Sequence, residues 1–334
     1  MFMNLTSASV GLAVVAIALA GCASTGDLDD TSDEAVASET LSPSQVESES
    51  DSRDGDIDDD HGHDHEDSTE DRINSFTGEY ELVDVGYGTI TTVTLTDTTR
   101  EIVTNSLPNH ETGEFPNSGN PNTISAQDNT WVYPLIAQYT GEASSVRVTG
   151  VALNGVKFEP GTAERVTCAS GETYNLEALQ EVSDLGLDFN NAHVQPGGEY
   201  HYHGVSSLLV DIYDQGEDLV LVGFAADGHL IYYSKSDAYQ SSYRIMSEDR
   251  DGTNCAYQAR GTTLEFDSTP DGSLTQDWEY SPSYGDLDQC NGTFVDDQYV
   301  YLLTDSYPYV PRCLMGEFSE EALPAIGNRP PPQP

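Results

Sequence analysis

The chain has 334 residues, and its 58 acidic residues against 12 basic ones give a formal net charge of −46 at neutral pH. So acidic a surface repels polyanions, which excludes nucleic acid as a partner and excludes electrostatic attachment to anionic lipid. The length is sufficient for one sizeable hydrophobic core.

The first predicted element is a lipoprotein signal peptide at residues 1–21. Residues 10–20 form an apolar run that is shorter than the roughly 20 residues of a spanning helix. Small residues precede Cys22, which predicts lipidation of Cys22 and a stable anchor of two or more acyl chains. We therefore expect a cell-envelope protein, on the outer membrane if the cell is Gram-negative, that faces the periplasm or the exterior. The alternative is an ordinary cleaved signal with an incidental cysteine, and residues 1–9 lack the usual basic residue.

Residues 22–74 are predicted to be a disordered acidic tether. Large apolar residues are almost absent there, so burial cannot offset the entropy of ordering the chain, and the many carboxylates repel one another. The tether carries a second histidine group, His61, His63 and His65. Such a tract either recruits metal ions weakly or is a polar spacer.

Residues 75–326 have the composition of a β domain, with short runs of valine, isoleucine and tyrosine between turn residues. We expect a mainly β, single sandwich-like domain with long loops and few short helices. Residues 327–334 are predicted to be a proline-rich tail. The predicted helices are Asn175–Val182 and Ser319–Leu323. The predicted strands are Glu79–Val83, Thr89–Leu95, Ser145–Leu153, Leu219–Ala225, Leu230–Tyr233 and Tyr299–Leu303.

Four cysteines follow Cys22 in the chain, and an even number in an oxidising compartment predicts two disulfides. Three connectivities are open. No pair has the CxxC spacing of a zinc ribbon or a thioredoxin-like site. The four residues are Cys168, Cys255, Cys290 and Cys313.

The segment from His193 to His203 is the strongest candidate for chemistry. In an extended strand His201 and His203 share one face, while Tyr200 and Tyr202 take the other. A Pro-Gly-Gly turn precedes this strand and can fold His193 back toward the pair. Three imidazoles suit copper or zinc, with a position left open for water or substrate. The alternative is a strand whose rings form hydrogen bonds within the core.

Tyr200-His201-Tyr202-His203 resembles the tetrapeptide that gives the YHYH domain family of secreted and surface proteins its name. Other motifs of the family follow the same order along about residues 100 to 317. They are Asn105–Gly113, Gly150–Val156, Gly223–Gly228 and Leu287–Gly292.

The resemblance implies an architecture and candidate residues, because the family's activity is not generally established. His110, Asp227, Asp288 and Asn291 match motif positions, together with the three histidines above. The clustering of such residues implies one shared pocket. Asp227-Gly228 is also a good tight-turn signal, and Asp288 is equally suited to capping a loop.

Three functions are consistent with these observations. The first is metal binding through His193, His201 and His203, with His110 as a possible fourth ligand. The second is an enzyme that acts on extracellular polysaccharide, with Tyr202, His203 and Asp227 as candidate catalytic residues. The third is a structural adhesion module. The sequence leaves open whether the chain is an enzyme, and it does not determine the metal, the substrate or the oligomeric state.

Overall fold

The computed structural model describes residues 76–259 and 261–319. The predicted leader with Cys22, the tether with its histidine group, and the proline-rich tail lie outside these residues. Within them the chain is mainly β, as predicted. No helix of this part is long and apolar enough to cross a bilayer.

The described chain begins with a four-stranded antiparallel meander in which sequential strands are neighbours. Val93 and Ile102 point into the core from its second and third strands, while alternate residues face outward, the usual pattern of a sheet with one buried face. The strands are β1 (Tyr80–Asp84), β2 (Thr89–Leu95), β3 (Thr99–Thr104) and β4 (Asn129–Pro134).

The largest sheet has eight strands in the order β10-β11-β7-β6-β12-β13-β19-β18. It is mixed, because β11 pairs in parallel with β7, and β13 with β19. Its middle strands are buried on both faces, so they read as continuous apolar runs. The strands are β6 (Gly150–Ala152), β7 (Lys157–Phe158), β10 (Ala192–Val194), β11 (Tyr200–Tyr202), β12 (Leu219–Ala225), β13 (Leu230–Ser234), β18 (Gly292–Val295) and β19 (Gln298–Leu303).

Three smaller sheets complete the described β structure. A four-stranded sheet has the order β16-β15-β8-β9, and the pairs β5-β20 and β14-β17 are antiparallel ribbons. A 3-10 turn at Thr275–Asp277 leads into β17. The strands are β5 (Tyr139–Ser145), β8 (Arg165–Thr167), β9 (Thr173–Asn175), β14 (Tyr243–Ile245), β15 (Cys255–Ala259), β16 (Thr262–Phe266), β17 (Trp278–Tyr280) and β20 (Cys313–Gly316).

The helix prediction was wrong at Asn175–Val182. Asn175 ends β9, and the backbone that follows bonds to distant segments: Leu176 donates to Glu164, and Glu177 donates to Ser273. The Leu176 carbonyl, which a helix would pair with the N–H four residues on, instead accepts from the Thr162 hydroxyl. The one α-helix of the described residues, α1 (Ser207–Tyr213), was not predicted. Its start is capped by the Ser206 hydroxyl, which accepts a hydrogen bond from the Leu209 N–H.

One predicted strand is divided in the structure. The run Ser145–Leu153 falls between two sheets, because β5 ends at Ser145 and β6 begins at Gly150. The connection carries the buried Val146 and Val148 into the main core, so an apolar run does not by itself indicate one strand.

Two disulfides form, as predicted, and the structure resolves the pairing that the sequence left open. Cys168 bonds to Cys255, and Cys290 bonds to Cys313. The first links β15 to the end of β8 inside a small second core around Leu176 and Leu274, and the second is buried in the main core.

Candidate metal centre

The hairpin of β10 and β11 lies at one edge of the eight-stranded sheet and pairs His193 directly with His201. The turn between the strands closes where Gly198 N donates to the Gln195 carbonyl. Gly197 and Gly198 both have positive φ, and a Cβ at Gly198 would lie 2.0 Å from Ser125 Oγ. Only glycine fits there, so the Pro-Gly-Gly sequence fixes the register that places the two histidines side by side.

The imidazoles of His193, His201 and His203 form a compact triangle, called the histidine cluster below. Their ring centroids are separated by 4.7, 4.8 and 4.7 Å. The candidate ligand atoms all lie within 4.8 Å of one another, and Nε2 of His203 is 3.1 Å from Nε2 of His193. Nitrogens held about 2.05 Å from a tetrahedral ion are about 3.3 Å apart. The cluster therefore requires only small side-chain movements to hold an ion.

The Nδ1 atoms of the three rings differ in their hydrogen-bond partners. Nδ1 of His193 is 2.9 Å from the Leu185 carbonyl, so it carries the proton and leaves a lone pair on Nε2. Nδ1 of His201 has a longer contact, 3.4 Å, with the Glu199 carbonyl. Nδ1 of His203 is buried and makes no hydrogen bond of good geometry with the described residues; the nearest backbone is that of Glu159. Backbone carbonyls in such positions orient metal-binding imidazoles in known sites.

Burial lowers the pKa of every ring in the cluster. His201 and His203 are almost fully buried, and burial together with the neighbouring imidazoles holds each pKa well below its ordinary value. His193 is partly buried, and burial lowers its pKa as well. All three rings are therefore neutral at neutral pH, which is the form that binds metal ions.

A buried lysine lies beside the cluster. Lys157 of β7 pairs in register with His201, and its side chain is fully buried. Its ammonium group is 2.9 Å from a Glu199 oxygen and 3.1 Å from a Glu159 oxygen. Gln195 bonds to both Lys157 and Glu159. The two carboxylates compensate the buried lysine, as a buried cation requires.

Sequence reasoning missed this ionic group. The available signal was a lysine inside the apolar run Val156-Lys157-Phe158, in a chain with only two lysines. A charged residue in a buried strand demands a partner of opposite charge. The sequence does not identify those partners, because Glu159 and Glu199 lie on different segments of the chain.

The opposite face of β11, called the tyrosine face below, holds Tyr200, Tyr202 and His110. Nε2 of His110 is 2.6 Å from the Tyr202 hydroxyl, which also accepts a hydrogen bond from Asn154, and Nδ1 of His110 contacts the Glu111 carbonyl. Tyr200 donates to Asp188. Both ring nitrogens of His110 are thus engaged away from the histidine cluster, and the structure does not place it as a fourth ligand.

Burial also determines the state of Tyr202, one of the candidate catalytic residues. Its side chain is fully buried, and burial raises its pKa far above the ordinary value. The hydroxyl is enclosed by His110 and Asn154.

The other motif residues belong to separate hydrogen-bond networks. Asp227 accepts from the Tyr301 hydroxyl at 2.5 Å and from Gly316 N at 2.9 Å, and burial raises its pKa. Asp288 accepts from the Tyr299 hydroxyl and from two backbone N–H groups of its own loop. Asn291 has a positive φ and donates to the Leu302 carbonyl. These residues hold loops, and the structure does not bring them to the histidine cluster.

The histidine cluster is the one group of His, Cys, Asp and Glu side chains in residues 76–259 and 261–319 that is arranged to hold a metal ion. Fold and site together define a mainly β, disulfide-linked domain with three histidines on an edge hairpin of its largest sheet. Residues 130–316, more than half of the chain, match the model of the family described as YHYH protein. The chain belongs to the YHYH family. Neither the curated proteins nor the solved structures gave a match.

Proposed function

We propose that this chain is a lipid-anchored protein of the cell envelope whose YHYH domain binds one zinc or copper ion through His193, His201 and His203. The observation that carries the proposal is the convergence of three neutral imidazoles whose ligand atoms lie within 4.8 Å of one another. Three protein ligands leave a fourth position for water or a further ligand, and His193 is only partly buried.

The polar balance of the cluster supports an ion over a purely structural role. Nε2 of His193 and Nε2 of His203 face each other, and because His193 carries its proton on Nδ1, Nε2 of His203 donates in this contact. A cation between the rings would replace that proton, bind both Nε2 atoms and leave the His203 proton on Nδ1. Imidazole ligands suit both zinc and copper, so both ions belong to the proposal.

The anchor and the compartment are the second part of the proposal. Two disulfides are typical of proteins that fold in an oxidising space, which supports export. Cys22 is then the point of lipidation, and the membrane is a partner only through the acyl chains. Replacement of Cys22 by serine should release the chain from the membrane fraction, and mass spectrometry of the mature N-terminus should find acyl groups on Cys22. An unmodified N-terminus would contradict the anchor and leave the metal site untouched.

Metal uptake tests the main proposal. Protein purified without an affinity tag is stripped with EDTA, incubated with Zn²⁺ or Cu²⁺, desalted, and analysed for metal per chain. We expect about one ion per chain in the wild type and none in a variant with His201→Asn and His203→Asn. A competition between the two metals identifies the preferred ion.

Two controls make the uptake experiment specific. His61, His63 and His65 are replaced by asparagine in every variant, so that weak binding by this tract does not obscure the result. His229→Asn changes a buried histidine outside the cluster, one that contacts the Tyr299 carbonyl, and it should leave uptake unchanged. Equal metal content in the wild type and the double variant would refute the proposal.

A further inference from the structure

A cavity of about 800 Å³ opens in the described domain between β5, the segment that follows β7, and the β14-β17 ribbon. This volume is in the range of sites that enclose small molecules. None of the three cluster histidines lines it, so it is a separate site.

Arginine is concentrated at this cavity. The chain has only ten arginines, because two of its 12 basic residues are Lys157 and Lys235. Three of the ten, Arg147, Arg165 and Arg312, line the cavity. In a chain with a net charge of −46, such a concentration of guanidinium groups is a local exception to the general charge.

Two of these arginines have groups that are free to bind a ligand. Arg165 is exposed, and its side chain forms no ion pair or hydrogen bond within residues 76–259 and 261–319. The Arg147 side chain is 40% exposed and, in the described part of the chain, contacts a carboxylate only through Nε, which bonds to Glu159, so its terminal nitrogens are available. Arg312 is fixed by Glu177 and by Tyr307, whose ring lies 5.0 Å beneath the guanidinium. A planar guanidinium pairs with a carboxylate through two parallel hydrogen bonds.

The remaining described arginines have structural tasks. Arg100 lies over the Phe224 ring, Arg244 lies over the Tyr284 ring, and Arg250 forms a buried ion pair with Asp277. Arg165 therefore differs from them in having no side-chain partner among the residues that the structure describes.

Amide and aromatic side chains complete the cavity wall. The Gln289 side chain makes no hydrogen bond within the described part of the chain, and Gln276 uses only its oxygen, which accepts from Asn175 N. Trp278 stacks on Tyr307 with ring centroids 4.3 Å apart and planes 1° apart, which makes that side of the wall rigid. The wall thus offers cations for carboxylates, amides for hydroxyls, and an apolar surface.

We propose that this cavity binds an acidic carbohydrate, with Arg165 and Arg147 pairing with a carboxylate and the two glutamines contacting hydroxyl groups. The combination favours a sugar acid over a simple anion, because a simple anion would leave the amide and aromatic wall unused. The site goes beyond the proposed metal binding and does not depend on it.

Calorimetric titration of the EDTA-treated full chain tests the proposal, with trigalacturonate, the neutral galactose trimer and triglutamate as probes. We expect trigalacturonate to bind at least tenfold more tightly than either of the others. Arg165→Gln should weaken its binding about tenfold, because a charge-assisted pair is lost. Lys235→Gln makes the same change in net charge at a surface residue that does not line the cavity and should leave the affinity unchanged.

A gain of affinity provides a test that misfolding cannot mimic. Glu142 is exposed and lines the same cavity, so it repels an anionic ligand. Glu142→Gln should tighten trigalacturonate binding several-fold. Absence of trigalacturonate binding, equal binding of the neutral trimer or of triglutamate, or equal affinities in the wild type and Arg165→Gln would each overturn the proposal.

Discussion

The two faces of β11, formed by alternate residues of one tetrapeptide, differ in how their side chains are hydrogen-bonded. On the tyrosine face every titratable side chain has a partner, since His110 contacts Tyr202 and Glu111, and Tyr200 contacts Asp188. On the other face the rings of the histidine cluster contact one another, and Nδ1 of His203 makes no hydrogen bond of good geometry with the described residues. Both faces are buried. The difference is therefore one of hydrogen-bond satisfaction: the tyrosine face is a closed network of partners, whereas the histidine cluster is held largely by contacts among its own rings.

The comparison also extends to charge. The tyrosine face is held mainly by neutral groups, whereas the histidine cluster lies beside Lys157 and its two glutamates. Buried ions are costly unless paired, so the face with the candidate site is also the face whose stability depends most on electrostatic compensation.

The largest expected effect comes from removal of the buried ammonium group. Lys157→Met leaves the buried Glu159 and the partly buried Glu199 with less compensation, so the free energy of unfolding should fall by about 3 kcal/mol, as measured by urea denaturation. Lys235→Met is the matched control, because the chain's other lysine pairs with Asp214 at the surface. The control should change stability by less than about 1 kcal/mol. Similar losses of stability in the two variants would contradict the prediction that the buried lysine contributes more to stability than the surface lysine.

Loss of one cluster ring should abolish tight metal binding. His203→Asn removes one of three ligands, and we expect the affinity for zinc or copper to fall by about 100-fold or more. Metal at 100 times the wild-type Kd should also stabilise the wild type by about 2.7 kcal/mol, and this gain should fall to about 0.4 kcal/mol or less in the variant. Thermal unfolding with and without metal measures both, and an undiminished shift in His203→Asn would contradict the assignment.

A substitution on the tyrosine face should lower the stability of the protein without changing its metal content. Tyr202→Phe removes the hydroxyl that contacts His110 and Asn154, and both partners remain buried. The expected cost is about 2 kcal/mol. Metal per chain should equal that of the wild type. If Tyr202→Phe instead loses its metal, the two faces do not act separately.

A pH dependence of the metal-free protein is expected as well. Burial lowers the pKa of the cluster histidines in the folded state, so below about pH 6.5 the unfolded chain binds protons that the folded chain does not. Stability is therefore full above that pH and falls as the pH decreases, by about 1.4 kcal/mol per unit for each such histidine, until the lowered pKa is reached.

Urea denaturation at pH 7.5, 6.5 and 5.5 measures this slope. The reference is a variant with asparagine at His193, His201 and His203, in which the carboxylates titrate as in the wild type. The wild type should lose more stability between pH 6.5 and 5.5 than this variant does. Parallel slopes would mean that the cluster histidines do not titrate as buried groups.

The sequence by itself determined the features that depend on local geometry. The two-residue period of a strand put His201 and His203 on one face and the tyrosines on the other. The Pro-Gly-Gly turn predicted that the chain folds back on itself there, which brings His193 toward the two histidines. The mainly β class and the presence of two disulfides followed in the same way, from composition and from an even number of cysteines.

Only the tertiary structure decided which distant segments meet. It paired Cys168 with Cys255, placed His110 on the tyrosine face, and put Lys157 next to His201. It also overruled the predicted helix at Asn175–Val182 through backbone bonds to Glu164 and Ser273. The physical reason is common to all of these. Local periodicity specifies where a side chain points, whereas its partner is chosen by long-range packing, in which each buried donor and acceptor must be satisfied.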